Sequence, residues 1–481
     1  MLTTAQWLIL IAVVVAWLVL ACIAAGHAVM YKRDSRSATI WVFFAFALPF
    51  IGPWLYWVMG INRIRRRAVV RLGRRQRPFD LPQPSDTHPA SDVHKEAVGH
   101  LVSLRTVADR VTRLPMLPGN KIVPLHNGEQ AYPKMLEAIA SADRSITLAS
   151  YIFDWDDVGR EFAAALGEAA RRGVRVHVLL DGIGALRSFS RTGAALIQSG
   201  AELAAFFPLR FPLGRLRVNL RNHRKILVVD GHTGFTGGMN ISERHLVHKH
   251  APGRVEDLHF EVTGPVVAEM QHTFAEDWVL ATDELLEGET YFPELSPRGE
   301  SLCRGISSGP DEDLGIIHWM LQAALASAQH SVRIVTPYFI PTWPLISAMV
   351  LRALRGVDIT LILPSKVNWP WMRWAADAYL WQLLEHGVSV FRRPPPFVHS
   401  KLIIVDERWI LLGSANLDSR SLRLHFEFNI EAYDVKLARS LYAWLDDLIA
   451  QSAPVTLEEV ESRPTWRRIR DGLAKIISPH L

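Results

Sequence analysis

His223-Arg-Lys-Ile-Leu-Val-Val-Asp230 recurs in the second half of the chain as His399-Ser-Lys-Leu-Ile-Ile-Val-Asp406. Both read His-x-Lys-x4-Asp, and each is followed by a Gly-rich turn ending in Asn: Gly237-Gly238-Met239-Asn240 and Gly413-Ser414-Ala415-Asn416. Two imidazoles and two ammonium groups at matched positions predict one site assembled from two halves. Such a set suits phosphoryl transfer: Lys and Asn neutralise and hydrogen-bond phosphate oxygens, while one imidazole attacks and the other donates a proton. The apolar runs 226–229 and 402–405 predict buried strands that present His and Lys on one face, two residues apart.

The flanking sequence repeats in the same order. Helical spacing at 131–142 precedes the β-rich 145–153, a helix at 158–172 and a strand at 174–180. The second half matches it with 316–328, 331–339, a helix ending at Arg355 and a strand at 357–363. Residues are shared as well: Arg171-Arg-Gly-Val-Arg-Val176 resembles Leu354-Arg-Gly-Val-Asp-Ile359. Alternating helices and strands with turns at Gly173 and Gly356 predict an α/β fold of two similar lobes, related by a pseudo-two-fold axis that brings the His-x-Lys segments face to face.

The N-terminus carries a different signal. Residues 8–25 and 38–60 are uncharged, the second stretch bent by Pro49, Gly52 and Pro53. Each is long enough for a hydrocarbon core of about 30 Å, and the short connection between them predicts a two-helix transmembrane hairpin. Lys32, Arg33 and Arg36 lie in that connection and eight Arg lie between 63 and 77, so the positive-inside rule places the remainder of the chain in the cytoplasm. A cleaved signal peptide is disfavoured, because the first 31 residues lack Lys and Arg. The formal net charge of +5 is concentrated in the Arg run, which argues for anionic headgroups rather than nucleic acid as the partner. Only two cysteines are present, Cys22 and Cys303, so neither a disulfide framework nor a Cys-based metal site follows. The expected organisation is a hairpin at 1–62, a basic and Pro-rich linker at 63–120, lobes at 121–300 and 301–455, and an amphipathic tail at 456–481.

With Leu48-Pro-Phe-Ile-Gly-Pro53, Asn222-His-Arg-Lys-Ile226 and Gly413-Ser-Ala-Asn-Leu-Asp-Ser-Arg-Ser421, nearly the whole chain resembles the bacterial cardiolipin synthases of the phospholipase D superfamily. The resemblance implies an inner-membrane enzyme that uses phosphatidylglycerol, makes cardiolipin through a phosphohistidine, and needs no metal or other cofactor. Lys225 and Lys401 already supply the positive charge that a divalent cation would bring. By analogy with the family, His223 is the nucleophile and His399 the general acid and base. Asn240, Asn416, Gly238 and Ser414 are expected around the phosphate; Gly238 lacks the serine hydroxyl of its counterpart, but its N–H could approach closely. Each imidazole needs an acceptor on its other nitrogen, and Asp257 and Glu427, at similar positions in the two halves, are the candidates. Asp230 and Asp406 complete the motifs and are expected to order neighbouring loops. Hydrolysis, or transfer to another alcohol, would use the same motifs.

Other features carry weaker signals. His245, His248, His250 and His259 suggest zinc but lack a completing ligand, which favours a solvated loop. Arg210, Arg215, Arg217, Arg221 and Arg224 suit either lipid phosphates or a solvated basic loop. Trp369, Trp371, Trp374 and Trp381 fit core packing or a helix at headgroup level. The tail from Trp466 to Ile477 fits an interfacial helix or one docked on a lobe.

Overall fold

The structure, a computed structural model, describes residues 3–32, 35–60, 96–182, 191–207, 221–249, 253–309, 315–418, 420–422 and 424–478. The basic run at 63–77, the Pro-rich stretch after it, Arg210, Arg215, Arg217 and His250 lie outside the described residues. The chain divides into an N-terminal unit and a larger one carrying both His-x-Lys segments.

In the N-terminal unit, helix Thr4–Tyr31 runs for 28 residues. At 1.5 Å per residue it reaches about 42 Å, ample for a hydrocarbon core. The second apolar stretch is interrupted at the bend expected from Pro49, Gly52 and Pro53. It forms a helix of 13 residues at Ser35–Ala47, breaks, and resumes as Ile51–Leu55 and a π-turn at Tyr56–Gly60. A 13-residue helix reaches about 20 Å, short of a crossing. Pro49 offers the helical ladder no N–H, and Phe50 adopts a φ of 58°. Gly52 lies so close to the preceding turn that a Cβ there would stand 1.9 Å from the Phe44 carbonyl oxygen. Ala21, Ala24 and Ala28 of the first helix pack with Ala45 and Tyr56, small side chains allowing close approach of the backbones.

Among the described residues of the larger unit, fifteen strands form one continuous sheet with a near-palindromic order. In the first lobe, Ser145–Ser150, Arg175–Asp181 and Glu202–Phe206 run parallel. Ser145–Ser150 also pairs antiparallel with Ile226–Val229, which continues into Thr233–Gly237 and Leu258–Thr263. The second lobe repeats this with Ser331–Val335, Asp358–Pro364 and Ser389–Arg393, then Leu402–Val405, Trp409–Gly413 and Glu427–Tyr433. Leu117–His126 and Ser301–Ser308 join the lobes at the centre. The predicted two-lobed α/β repeat is therefore present, and its two halves share one sheet.

Helices cover both faces. Helices Asn127–Ala140 and Asp157–Arg171 and their counterparts Ile316–Ser327 and Trp343–Leu354 fall close to the positions read from periodicity. They bury separate cores on one face, around Phe162 and Leu166 in the first lobe and Met320 and Leu361 in the second. On the opposite face, helices Val267–Thr282 and Val435–Ala450 cover one core common to both lobes, with Phe274 and Trp278 in the same cluster as Phe428 and Leu445. That shared core makes the lobes one rigid frame, so two half-sites can be held in register. Gly173 and Gly356, with φ of 92° and 86°, supply the left-handed residue at the helix-to-strand turns.

Candidate active site

Neither motif histidine lies inside its own strand: the strands begin at Ile226 and Leu402. The segment before each strand turns instead to the other lobe. Asn222 forms a parallel bridge with Phe426, and the His223 N–H donates to the Phe426 carbonyl at 2.9 Å. Symmetrically, Phe397–Val398 pairs in parallel with Val255–Glu256, and the His399 N–H donates to the Glu256 carbonyl at 2.7 Å. Parallel pairing sets the next residues side by side, so His223 meets Glu427 and His399 meets Asp257.

The side chains follow. His223 Nδ1 lies 3.1 Å from Glu427 Oε2, and His399 Nδ1 lies 2.8 Å from Asp257 Oδ2. Each candidate acid thus serves the imidazole of the opposite lobe. Burial pushes both imidazoles down to about 4, with Lys401 adding to the effect at His399 and the acids opposing it. Burial by itself would raise the carboxyls, but Lys401 and His399 bring Asp257 far below the usual range, and His223 does the same for Glu427. The resting pair is a neutral imidazole donating Nδ1–H to a carboxylate, which leaves Nε2 with its lone pair.

The lysines differ. Lys225 Nζ donates to the His223 carbonyl at 2.7 Å and lies 5.4 Å from the centre of the Tyr151 ring. Lys401 Nζ donates to the His399 carbonyl and also lies 2.7 Å from His399 Nδ1 and 3.1 Å from Nε2. Burial is the main cause that lowers the two ammonium groups, to about 7 for Lys225 and about 8 for Lys401.

Ser414 and Gly238, expected at the phosphate, are engaged elsewhere. Ser414 Oγ donates to Glu427 Oε2 at 2.6 Å and accepts the Phe428 N–H at 3.0 Å. A Cβ on Gly238 would stand 2.1 Å from Asp257 Oδ1, and the Gly238 N–H is bonded to the Leu258 carbonyl. Both positions therefore shape the seat of an acid, by a hydroxyl in one lobe and by empty space in the other. Asn240 accepts the Ile152 N–H on its carboxamide oxygen at 3.2 Å, which leaves its NH2 as the donor. Asn416 donates to Ser421 Oγ at 3.3 Å, and its buried Oδ1 has no partner among the described residues.

Asp230 and Asp406 both have φ near 50°. Asp230 accepts the N–H groups of Asp143, Arg144 and Ser145, and Asp406 those of Gln329, His330 and Ser331. They staple the far end of each His-x-Lys strand to the start of its neighbour. Arg224 is neither a phosphate clamp nor part of a solvated loop: it is buried, with Nη1 2.6 Å from Asp277 Oδ1 and Nη2 2.6 Å from Ser307 Oγ. Arg221 is buried against Asp181. The solvated loop expected for the histidines is found only in part: His248 is exposed and faces Glu129, whereas His245 is buried 3.9 Å from Asp257 and His259 is buried in strand Leu258–Thr263.

Two further residues belong to the site. His425 stands 5.9 Å from His223, ring centre to ring centre, with Nδ1 3.8 Å from Glu427 Oε1. Tyr151 meets the His223 ring edge-on at 5.1 Å. The position of His425 two residues before Glu427, on the same side of an extended segment, was a usable signal. Tyr151 had none, because its approach depends on how strand Ser145–Ser150 ends.

A family model described as "Cardiolipin synthase, PLD-like domain" matches residues 135–278 and 321–449, so that each match spans one lobe with its His-x-Lys segment. The chain belongs to this family. A second model, "Phospholipase_D-nuclease N-terminal", matches residues 7–60. Cardiolipin synthase A of Pseudomonas fluorescens (strain SBW25) is 33% identical over 464 residues, 96% of this chain and 96% of the relative. The major cardiolipin synthase of Bacillus subtilis (strain 168) is 29% identical, with 94% and 95% of the two chains covered. Among solved structures, the phosphatidylserine synthase of Haemophilus influenzae Rd KW20 shares the fold, with a TM-score of 0.61 and 16% identity over 79% of this chain and 100% of that one.

Proposed function

We propose that this cardiolipin synthase family member transfers a phosphatidyl group from one phosphatidylglycerol to a hydroxyl of a second. His223 Nε2 attacks the phosphodiester phosphorus, and the departing glycerol oxygen takes a proton from His399. A phosphatidyl-histidine remains. His399, now neutral, deprotonates a glycerol hydroxyl of the second phosphatidylglycerol; that oxygen attacks phosphorus, His223 leaves, and cardiolipin forms. The observation that carries this reading is the pair of imidazoles, each held at Nδ1 by a carboxylate of the other lobe.

Division of labour rests on the lysines. Both lysines bond the carbonyl of their own histidine, but Lys401 Nζ also lies against the His399 ring, 2.7 Å from Nδ1 and 3.1 Å from Nε2, whereas Lys225 makes no such ring contact with His223 among the described residues. A buried phosphodiester anion between the lobes raises the affinity of His399 for a proton, loading the general acid as substrate binds. Asn240 and Asn416 are proposed as donors to the phosphate oxygens.

The test is reconstitution of the full chain with labelled phosphatidylglycerol. Cardiolipin and glycerol are expected in equal amounts, and phosphatidic acid as the main product would establish hydrolysis instead. The pH profile follows from the free enzyme. Above about 4 His399 must take up a proton as substrate binds, so kcat/KM falls on the alkaline side. Raising the pH through about 7 to 8 further removes protons from Lys225 and then Lys401, so the fall steepens there. Lowering it towards about 4 protonates His223 and removes its lone pair. A kcat/KM that stays level far above the titration of both lysines would contradict their role at the phosphate.

A further inference from the structure

Helix Thr465–Ile477 is mounted the opposite way from a helix of a water-soluble domain. Trp466, Ile469, Leu473 and Ile476 recur at helical spacing and make one stripe, yet they are 59, 59, 55 and 63% exposed. The face turned to the protein is small and polar. Asp471 is buried and accepts from Arg463 at 3.0 Å and Arg470 at 2.6 Å, and Ala474 packs on Ile340 and Ala375. Beside it, at the start of helix Pro370–Asp377, Trp369 and Trp371 are 54 and 36% exposed, with ring centres 4.7 Å apart. Burying one large apolar side chain contributes about 1.5–3 kcal/mol. A fold that buries the polar face and leaves this stripe uncovered among the described residues forgoes that gain several times over, unless another apolar phase receives it.

We propose that this platform docks on an anionic phospholipid bilayer, with the stripe and the paired indoles in the interfacial layer. Charge identifies the occupant. The helix carries Arg467, Arg468, Arg470 and Lys475 against the single acid Asp471, and Arg467 and Arg468 are exposed. Cations flanking an apolar stripe, with indole at its edge, are the chemistry of a helix lying in the plane of a negatively charged membrane. The same chain supplies a helix long and apolar enough to cross a membrane, Thr4–Tyr31. The platform is also close to the chemistry: Ile340, on which Ala474 packs, belongs to strand Phe339–Ile340, which pairs with Leu417–Asp418 directly after Asn416. Docking there brings the Asn416 side of the site towards lipid headgroups. That consequence rests on the phospholipid reading of the site, but bilayer contact is measured independently of it.

The experiment uses the full chain with Cys22→Ser and Leu473→Cys, labelled at 473 with an environment-sensitive nitrobenzoxadiazole dye and reconstituted into phosphatidylcholine vesicles containing phosphatidylglycerol. Blue-shifted emission, quenched by lipids that carry a nitroxide near the headgroup, is expected. Water-like emission without lipid quenching would overturn the proposal. So would energy transfer between labelled copies without lipid quenching, which would make a second copy the occupant. A second measurement uses Leu473→Glu with Ile476→Glu. The apparent KM for bilayer phosphatidylglycerol is expected to rise about tenfold, with turnover of dispersed short-chain phosphatidylglycerol unchanged; equal losses on both substrates would argue against docking. An enzyme inactive on phosphatidylglycerol would defeat the proposed function and still leave the labelling result readable.

Discussion

Alanine at His223 or at His399 is expected to lower cardiolipin formation by at least ~10³, because a nucleophile and its acid–base partner act as a unit and removal of either stops both half-reactions. Two other histidines stand near the pair, and neither belongs to a His-x-Lys segment: His245 lies 3.9 Å from Asp257 Oδ2. His425 lies close to His223, with its ring facing Glu427 Oε1 from 3.8 Å. Rapid acid-free quenching of the native enzyme with radiolabelled lipid, followed by proteolysis, should recover label on the peptide that contains His223. Label on the His399 peptide would exchange the two roles; near-normal turnover in either alanine variant would refute a single shared site.

The second large effect concerns the acids. Asp257→Asn and Glu427→Gln keep shape but remove the charge that holds each imidazole as its Nδ1–H tautomer, and a loss of about 10²–10⁴ in kcat is expected by analogy with the triad aspartate. The crossing of the lobes makes the prediction specific. Glu427 raises the affinity of His223 for a proton, so Glu427→Gln should lower the His223 titration further and release its tautomer in ¹⁵N spectra of histidine-labelled protein. Asp257→Asn should do the same to His399. If Glu427→Gln instead disturbed His399 alone, the crossed pairing would be wrong.

Much of this was readable along the chain because it depends on local chemistry repeated twice. Two His-x-Lys segments in matching helix and strand contexts require two similar lobes, and a Lys set directly before a buried apolar strand demands a role for that charge. Asp230 and Asp406 were placed as loop-ordering residues by their position after apolar strands, and both accept three backbone N–H groups. Ser414 and Gly238 were harder. A Gly-Ser-x-Asn turn beside a phosphate site reads as a set of donors, and nothing local reveals that the Ser414 hydroxyl is taken by a carboxylate thirteen residues away. Arg224 illustrates the same limit, since its partners Asp277 and Ser307 come from a helix and a strand well downstream.

The membrane segment shows the limit in another form. Hydropathy alone marks both apolar stretches, and it locates Thr4–Tyr31 well. Pro49, Gly52 and Pro53 mark where the second stretch bends, but the seat of Gly52 against the Phe44 carbonyl, which leaves no room for a Cβ, is set by the packing of the bend itself.

By itself the sequence determined the paired imidazoles, the paired lysines, the two acids and the two-lobed α/β repeat, since each is written in residue type and period. Tertiary structure alone decided which acid serves which histidine. The reason is backbone hydrogen bonding: the residues before His223 and His399 pair in parallel with the acid-bearing segment of the opposite lobe, and that register carries each imidazole across the pseudo-two-fold axis to the other lobe's carboxylate. Tertiary structure likewise decided the tail, burying Asp471 and Ala474 and leaving the apolar stripe outward, because which face of an amphipathic helix is covered depends on what stands beside it.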